Sequence, residues 1–206
     1  MANTFGIGQP AARIEDPRLL TGQGRFVDDI ALAGQACAVV LRSPHAHARI
    51  RAIDTESAKR MGGVLLVLTG ADAEADGLGG LPGGTGHPEI RDVYAPRHKV
   101  LVADRVRHVG DRVALVVADT LDQARDAAER IRVDYEILPS VTSLAAAMEV
   151  DAPQVWPKAD GNFCLRAESG DQAAADVAFE RAHHVARVSI VNNRLSANAI
   201  EPRNCL

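Results

Sequence analysis

The stretch RVRHVGDRVALVVADTLDQARDAAERIRVDYEILP, residues 105–139, decides the fold. Its first half is rich in valine on either side of Gly110-Asp111 and reads as strands, with Gly110-Asp111 a turn or bulge candidate. At Thr120 the period changes. Thr120-Leu121-Asp122-Gln123 fits a capping box, in which Thr120 bonds the Gln123 N–H and Gln123 reaches back. Leu121, Ala124, Ala128 and Ile131 then fall on one face of a helix. RVDYEIL, residues 132–138, returns to strand pattern and stops at Pro139. Strand, helix and strand within so few residues call for helices packed on a sheet.

Working outward toward the N-terminus, QACAVVLRS lies between Gly34 and Pro44 and predicts a strand. HARIRAI, residues 47–53, predicts another that ends at Asp54. Asp54 or Thr55 can cap a short helix to about Met61, which Gly62-Gly63 closes. VLLVLT, residues 64–69, is apolar throughout, as expected of a strand covered on both faces. Residues 70–98 read as loop, and KVLVAD, residues 99–104, as one more strand. The resulting class is α/β (α+β).

Toward the C-terminus, SLAAAME (143–149) predicts a short helix, followed by a proline-containing connection. SGDQAAADVAFERA, residues 169–182, predicts an amphipathic helix with a Ser169–Gln172 capping box and Ala175, Ala178, Phe179 and Ala182 facing inward. HHVARVSIVNN, residues 183–193, alternates as a strand. The first 34 residues are rich in Gly, Pro and Arg and read as an extended arm with turns. The expected organisation is therefore an arm (1–34), a main domain (35–140) and a following segment (141–206).

The chain has 206 residues, 47% hydrophobic and 24% charged, a globular composition. Aromatics make up only 3%, so the core must come from Val, Leu, Ile and Ala. A net charge of −4 argues against a nucleic-acid binder, which needs a basic surface. No apolar run approaches the ~20 residues of a membrane span. The N-terminus has no basic start followed by an apolar core, so no secretion signal is expected. Cys37, Cys164 and Cys205 lie far apart without a C-x-x-C pair. That suits free thiols in a reducing cytoplasm and argues against an iron–sulfur or structural zinc site in this chain.

His45 and His47 share a face if their segment is extended, a possible start of a metal site. No third ligand stands at a suitable spacing, and Pro44 points to a strand edge or turn. His183 and His184 alternate across a strand and cannot chelate together. GIGQPA (6–11) matches G-x-G-x-x-A without a preceding strand, GLGGLPGGTG (77–86) lacks a P-loop lysine, and TGQGRF (21–26) lacks a third glycine. All three read as turns or loops, and no self-contained active site emerges from residue chemistry.

Six stretches, however, occur together and in order: RIEDPRLLTGQGRFVDDI (13–30), RSPHAHARIRAID (42–54), GVLLVLTGAD (63–72), VRHVGDRVALVVADT (106–120), ARDAAERIRVDYEILP (124–139) and IEPRN (200–204). Together they resemble the N-terminal part of a molybdenum hydroxylase large subunit, of the xanthine dehydrogenase, aldehyde oxidase and aerobic carbon monoxide dehydrogenase family. The resemblance implies an α/β hammerhead domain to about Pro139, followed by the first elements of a molybdopterin-binding domain. It also implies that SPHAHARI is a strand–turn–strand element whose histidines are structural.

Family large subunits continue for several hundred residues past the E-P-R motif, through the pterin contacts, the catalytic glutamate and most of the substrate pocket. No catalytic residue, cofactor contact or metal ligand is therefore assigned here. Glu201 and Arg203 alone stand where relatives turn toward the pocket. The implied reaction is hydroxylation of an aldehyde or nitrogen heteroaromatic with water as oxygen source. The molybdopterin cofactor, [2Fe–2S] centres and FAD would belong to partner chains: a remaining molybdopterin-binding chain, an iron–sulfur subunit and an FAD subunit. On this reading residues from about 141 onward pair with another chain or pack poorly. The rivals are a stand-alone hammerhead module for protein–protein binding and an inactive truncated remnant.

Overall fold

The computed structural model describes residues 12–83, 93–159, 161–165, 167–193, 195–199 and 201. They fall into two units, one spanning 34–185 and one drawn from both ends of the chain, up to 33 and from 186.

In the larger unit the central strand is β5 (Arg112–Ala118), flanked on both sides by antiparallel neighbours, β1 (Cys37–Arg42) and β3 (Val64–Thr69). A second antiparallel sheet has β2 (Ala48–Asp54) between β4 (Arg105–Val106) and β6 (Arg132–Ile137). The turn at Gly110, with φ +86°, separates β4 from β5. Helix α4 (Leu121–Arg130) begins as its capping box requires: the Gln123 N–H donates to Thr120 Oγ1 at 3.3 Å, and the Thr120 N–H to Gln123 Oε1 at 3.1 Å.

The buried face of α4 is Ala124, Ala127 and Ala128, followed by Ile131, while Leu121 stays at the exposed rim. With methyl groups as its only side chains, that face fits closely against Ala114, Val116 and Ala118 of the central strand. Ala58 of α2 (Glu56–Lys59) joins the same core. The second sheet gathers Ala48, Ile50, Val102, Val106 and Val113, with Ile53, Val133 and Tyr135 at the margin. A low aromatic content thus yields two small aliphatic cores.

Several expectations need correction. VLLVLT forms β3, but as an edge strand: a register irregularity between Val64 and Leu66 leaves Leu65 59% exposed. KVLVAD is not a strand, and meets the sheets through isolated backbone hydrogen bonds. It packs irregularly, burying Leu101 and Val102, with the Val102 N–H donating to the Arg112 carbonyl. The region read as loop from residue 70 opens with helix α3 (Gly70–Ala75). The arm is not simply extended, since Pro17 helps start helix α1 (Asp16–Leu20), and a 3-10 turn follows at Val27–Asp29.

Farther along, α5 (Leu144–Ala147) forms as the sequence predicts, capped by Ser143. The next helix, α6 (Gln172–Arg181), is capped by Asp171 rather than Ser169, with Asp171 Oδ1 accepting the Ala174 N–H at 2.9 Å. Its supposed inward face is not covered, and Phe179 is 63% exposed. Residues 183–193 adopt no regular strand, and Ile190 is 83% exposed.

Candidate functional site

The two histidines of SPHAHARI occupy the turn between β1 and β2. Ser43 and Gly110 tie this turn to the next one: the Ser43 N–H donates to the Asp111 carbonyl and the Gly110 N–H to the Ser43 carbonyl, both at 2.8 Å. His47 is only 5% exposed, with Nδ1 2.7 Å from the Pro139 carbonyl. A carbonyl can only accept, so the proton is assigned to Nδ1. In return the Leu138 N–H donates to the His47 carbonyl at 3.0 Å. His45 instead meets the Tyr135 ring edge-on at 4.9 Å. Half-burial raises the Tyr135 pKa, a hydrogen bond with Ser43 opposing the shift. Both histidines thus join the turn to β6 or the residues just after it.

Glu201 has a definite partner within its own unit: its Oε1 accepts the Val27 N–H at 3.1 Å, at the start of the 3-10 turn. The carboxylate there fills an orphan backbone donor. Pro202 and Arg203 lie outside the described residues, as do residues 6–11, which carry one of the glycine clusters.

The most distinctive polar feature of the larger unit was not foreseen. A cleft of about 170 Å³ is lined by Arg97, Arg107, Arg112, His98 and Trp156 among others. Each arginine is held by a backbone carbonyl: Arg97 Nη1 by Gly80 at 3.3 Å, Arg107 Nη1 by Arg105 at 3.2 Å, and Arg112 Nη2 by Lys99 at 2.9 Å. The Arg107 guanidinium also sits 4.0 Å over the Trp156 ring, a cation–π contact. Half-burial lowers the Arg107 pKa, against the opposing pull of Asp104, without making the group neutral.

Asn162 carries the left-handed backbone conformation, φ +66°, that organises the tryptophan loop. Its Oδ1 accepts the Val155 N–H, and its Nδ2 donates to the Pro153 carbonyl, both at 3.0 Å. The Tyr94 N–H donates to the Cys164 carbonyl at 2.8 Å, which joins this loop to the segment before Arg97.

Lys99 is paired with Glu74 across the cleft's edge. The buried Asp111 carboxylate accepts the backbone N–H groups of Arg107 and Arg112 at 3.0 and 3.1 Å and lies 3.6 Å from His108. The signal that could have found this site is the basic run RVRHVGDR, residues 105–112, but its convergence with Arg97 and Trp156 exists only in three dimensions.

These residues were tested against the cofactor that the family implies. Among the described residues, no three His, Cys, Asp or Glu side chains gather as metal ligands. Among the described residues, the buried side-chain nitrogens without hydrogen bonds are His47 Nε2 and Arg107 Nε, on groups already anchored through another nitrogen. The donors of this cleft are guanidinium and imidazole groups rather than a metal-ligand set.

Residues 21–139 match the family model described as aldehyde oxidase and xanthine dehydrogenase, a/b hammerhead domain. The chain is 36% identical to the carbon monoxide dehydrogenase large chain of Afipia carboxidovorans, across 98% of this chain and 25% of that one. It is 37% identical to the nicotine 6-hydroxylase large subunit of Paenarthrobacter nicotinovorans, across 97% and 24%. Among solved structures it resembles reconstituted CO dehydrogenase from Oligotropha carboxidovorans, with TM-score 0.67 and 36% identity over 87% of this chain and 23% of that one. Quinoline 2-oxidoreductase from Pseudomonas putida 86 gives TM-score 0.60 and 42% identity over 71% and 18%. The chain spans about a quarter of the length of the curated relatives named here.

Proposed function

The chain belongs to the aldehyde oxidase and xanthine dehydrogenase family through its α/β hammerhead domain, and on that premise we propose that it serves as a segment of a molybdenum hydroxylase large subunit. Its role in this proposal is structural: shape and assembly contacts, with the reacting groups supplied from elsewhere in the enzyme. The reaction is hydroxylation of an aldehyde or N-heteroaromatic substrate, with the new oxygen taken from water. The molybdopterin cofactor, [2Fe–2S] centres and FAD reside with partner chains, namely the remaining molybdopterin-binding, iron–sulfur and FAD subunits. Such cofactors carry the difficult chemistry, while protein around them supplies position and environment.

The observation that carries the reading is similarity along 98% of this chain to a carbon monoxide dehydrogenase large chain. Uncovered apolar residues support the assembly role. Leu65 and Leu66 on the edge strand, Phe179 on α6, and Val188, Ile190 and Val191 beyond it all face outward. Edge strands and apolar surfaces of this kind invite association. We assign the hammerhead to residues 35–140, the arm to 1–34 and the start of the molybdopterin-binding domain to 141–206, with Glu201 and Arg203 near the substrate pocket of the assembled enzyme. The proposed compartment is the cytoplasm, in keeping with free thiols at Cys37 and Cys164. Among the described residues no helix is long and apolar enough to cross a membrane.

The test is to purify the complex through a tag on this chain, expressed from its own locus, and assay it with aldehydes and N-heteroaromatics in isotopically labelled water. Label in the hydroxylated product is the expected result; turnover that incorporates none from water would contradict the assignment. A second reading, a stand-alone module for protein–protein binding, is favoured by the two cores that the 34–185 unit contains by itself.

A further inference from the structure

We propose that the cleft between Arg97, Arg107, Arg112 and Trp156 is a binding site for a phosphate group. Three arginines line this cleft from separate parts of the chain, the segment before Leu101, strand β4's end and the start of β5. Among the described residues no carboxylate lies within ion-pair distance of any of the three. Arginines that outnumber the carboxylates around them repel one another, and an added anion reduces that penalty. Asp104 and Asp111 on the wall both pull on Arg107 without an ion-pair contact, and these two carboxylates offset only part of the charge of three arginines.

The arginines are also already in place. Each spends one N–H on a backbone carbonyl, and Arg107 is further held against Trp156. A guanidinium has five donors in a planar fork, so each keeps donors for a ligand, and little side-chain freedom is lost on binding. Three such forks offer more donors than a planar carboxylate with two oxygens can accept, and suit a tetrahedral oxyanion with three or four acceptor oxygens. His98 and His108, on the same wall, can add donors when protonated. The source is either free phosphate or a phosphate ester, both with the same recognised group.

This site does not depend on the assembly role proposed above, and its test uses the purified chain alone. Equilibrium dialysis against radiolabelled orthophosphate, and in a second arm radiolabelled AMP, is run at constant ionic strength set with sodium chloride. Saturable retention of orthophosphate identifies free phosphate as sufficient; retention of AMP alone identifies a phosphate carried by a larger molecule. Either supports the proposal. The fluorescence of Trp156, the chain's one tryptophan, locates the binding by changing with the same midpoint.

Arg112→Gln and Arg97→Gln should each weaken binding by about tenfold or more, the scale of one charge-assisted hydrogen bond. Arg97 is exposed, so its variant keeps the test decisive if changes nearer the core unfold the chain. Arg125→Gln, on the outer face of α4, should leave affinity unchanged. No saturable retention in either arm, equal affinity in the Arg97 and wild-type chains, or displacement by succinate as effective as by pyrophosphate would each overturn the assignment.

Discussion

At Gly70 the chain runs so close to Val102 and Ala103 that an added Cβ would lie 2.4 Å from their backbone atoms. Backbone cannot swing aside as a side chain can, so Gly70→Ala must displace a buried segment. The expected loss is about 1–3 kcal/mol, the usual scale of overpacking. Gly62 has open surroundings, and alanine there should change stability by less than about 0.5 kcal/mol. Urea unfolding of the two variants checks the contrast. His47→Ala removes the hydrogen bond to Pro139 and the buried ring together, and should destabilise by about 2 kcal/mol. Asp72 offers a pH test. The Thr69 hydroxyl and the Thr69 N–H both donate to its carboxylate and hold its pKa below the ordinary value of 3.8. Its stabilisation of the α3 start is complete above the unfolded-state pKa and is lost as pH falls through the lower folded value. Carboxyl-carbon NMR should show Asp72 titrating at lower pH than the free side chain, and Thr69→Ala should shift it upward.

Among the elements, those defined by their own residues were legible in the sequence. The Thr120–Gln123 box and the alanine face specify α4 locally, and the alternation of β2 and β6 requires only a sheet to lie on. Replacing Thr120 by alanine should cost about 1 kcal/mol, the loss of an N-cap, as measured by thermal or urea unfolding. What the sequence hid depends on neighbours. VLLVLT reads as covered on both faces because its residues are apolar, but Leu65 and Leu66 of β3 stay exposed. KVLVAD has strand composition, but it meets the two sheets only through isolated bonds such as Val102 to Arg112 and Ile50 to Asp104. Ser169 and Asp171 are both competent caps, and periodicity alone does not choose between them. The arginine cleft was hidden for the same reason, because its walls come from residues 97–112 and a tryptophan more than forty positions further on.

For the molecule as a whole, the contrast lies between the dense core of the 34–185 unit and the apolar residues left outside it. Val113, Val116 and Val106 are fully enclosed, whereas Val188, Ile190, Val191 and Leu195 face solvent. Hydrogen exchange on the isolated chain should therefore show slow amides in β5 and α4 and fast ones from 183 to 193. Equal protection of both regions in a monomer would count against a tail that pairs with another chain. Family membership rests on residues that build the hammerhead, and the assembly role rests on what that hammerhead leaves uncovered. The most direct measurement is the molybdenum content of the complex recovered through a tag on this chain in its own cell. Stoichiometric molybdenum, accompanied by iron and flavin, is the result predicted for a working part of a hydroxylase. A chain recovered alone, without molybdenum, would contradict that role.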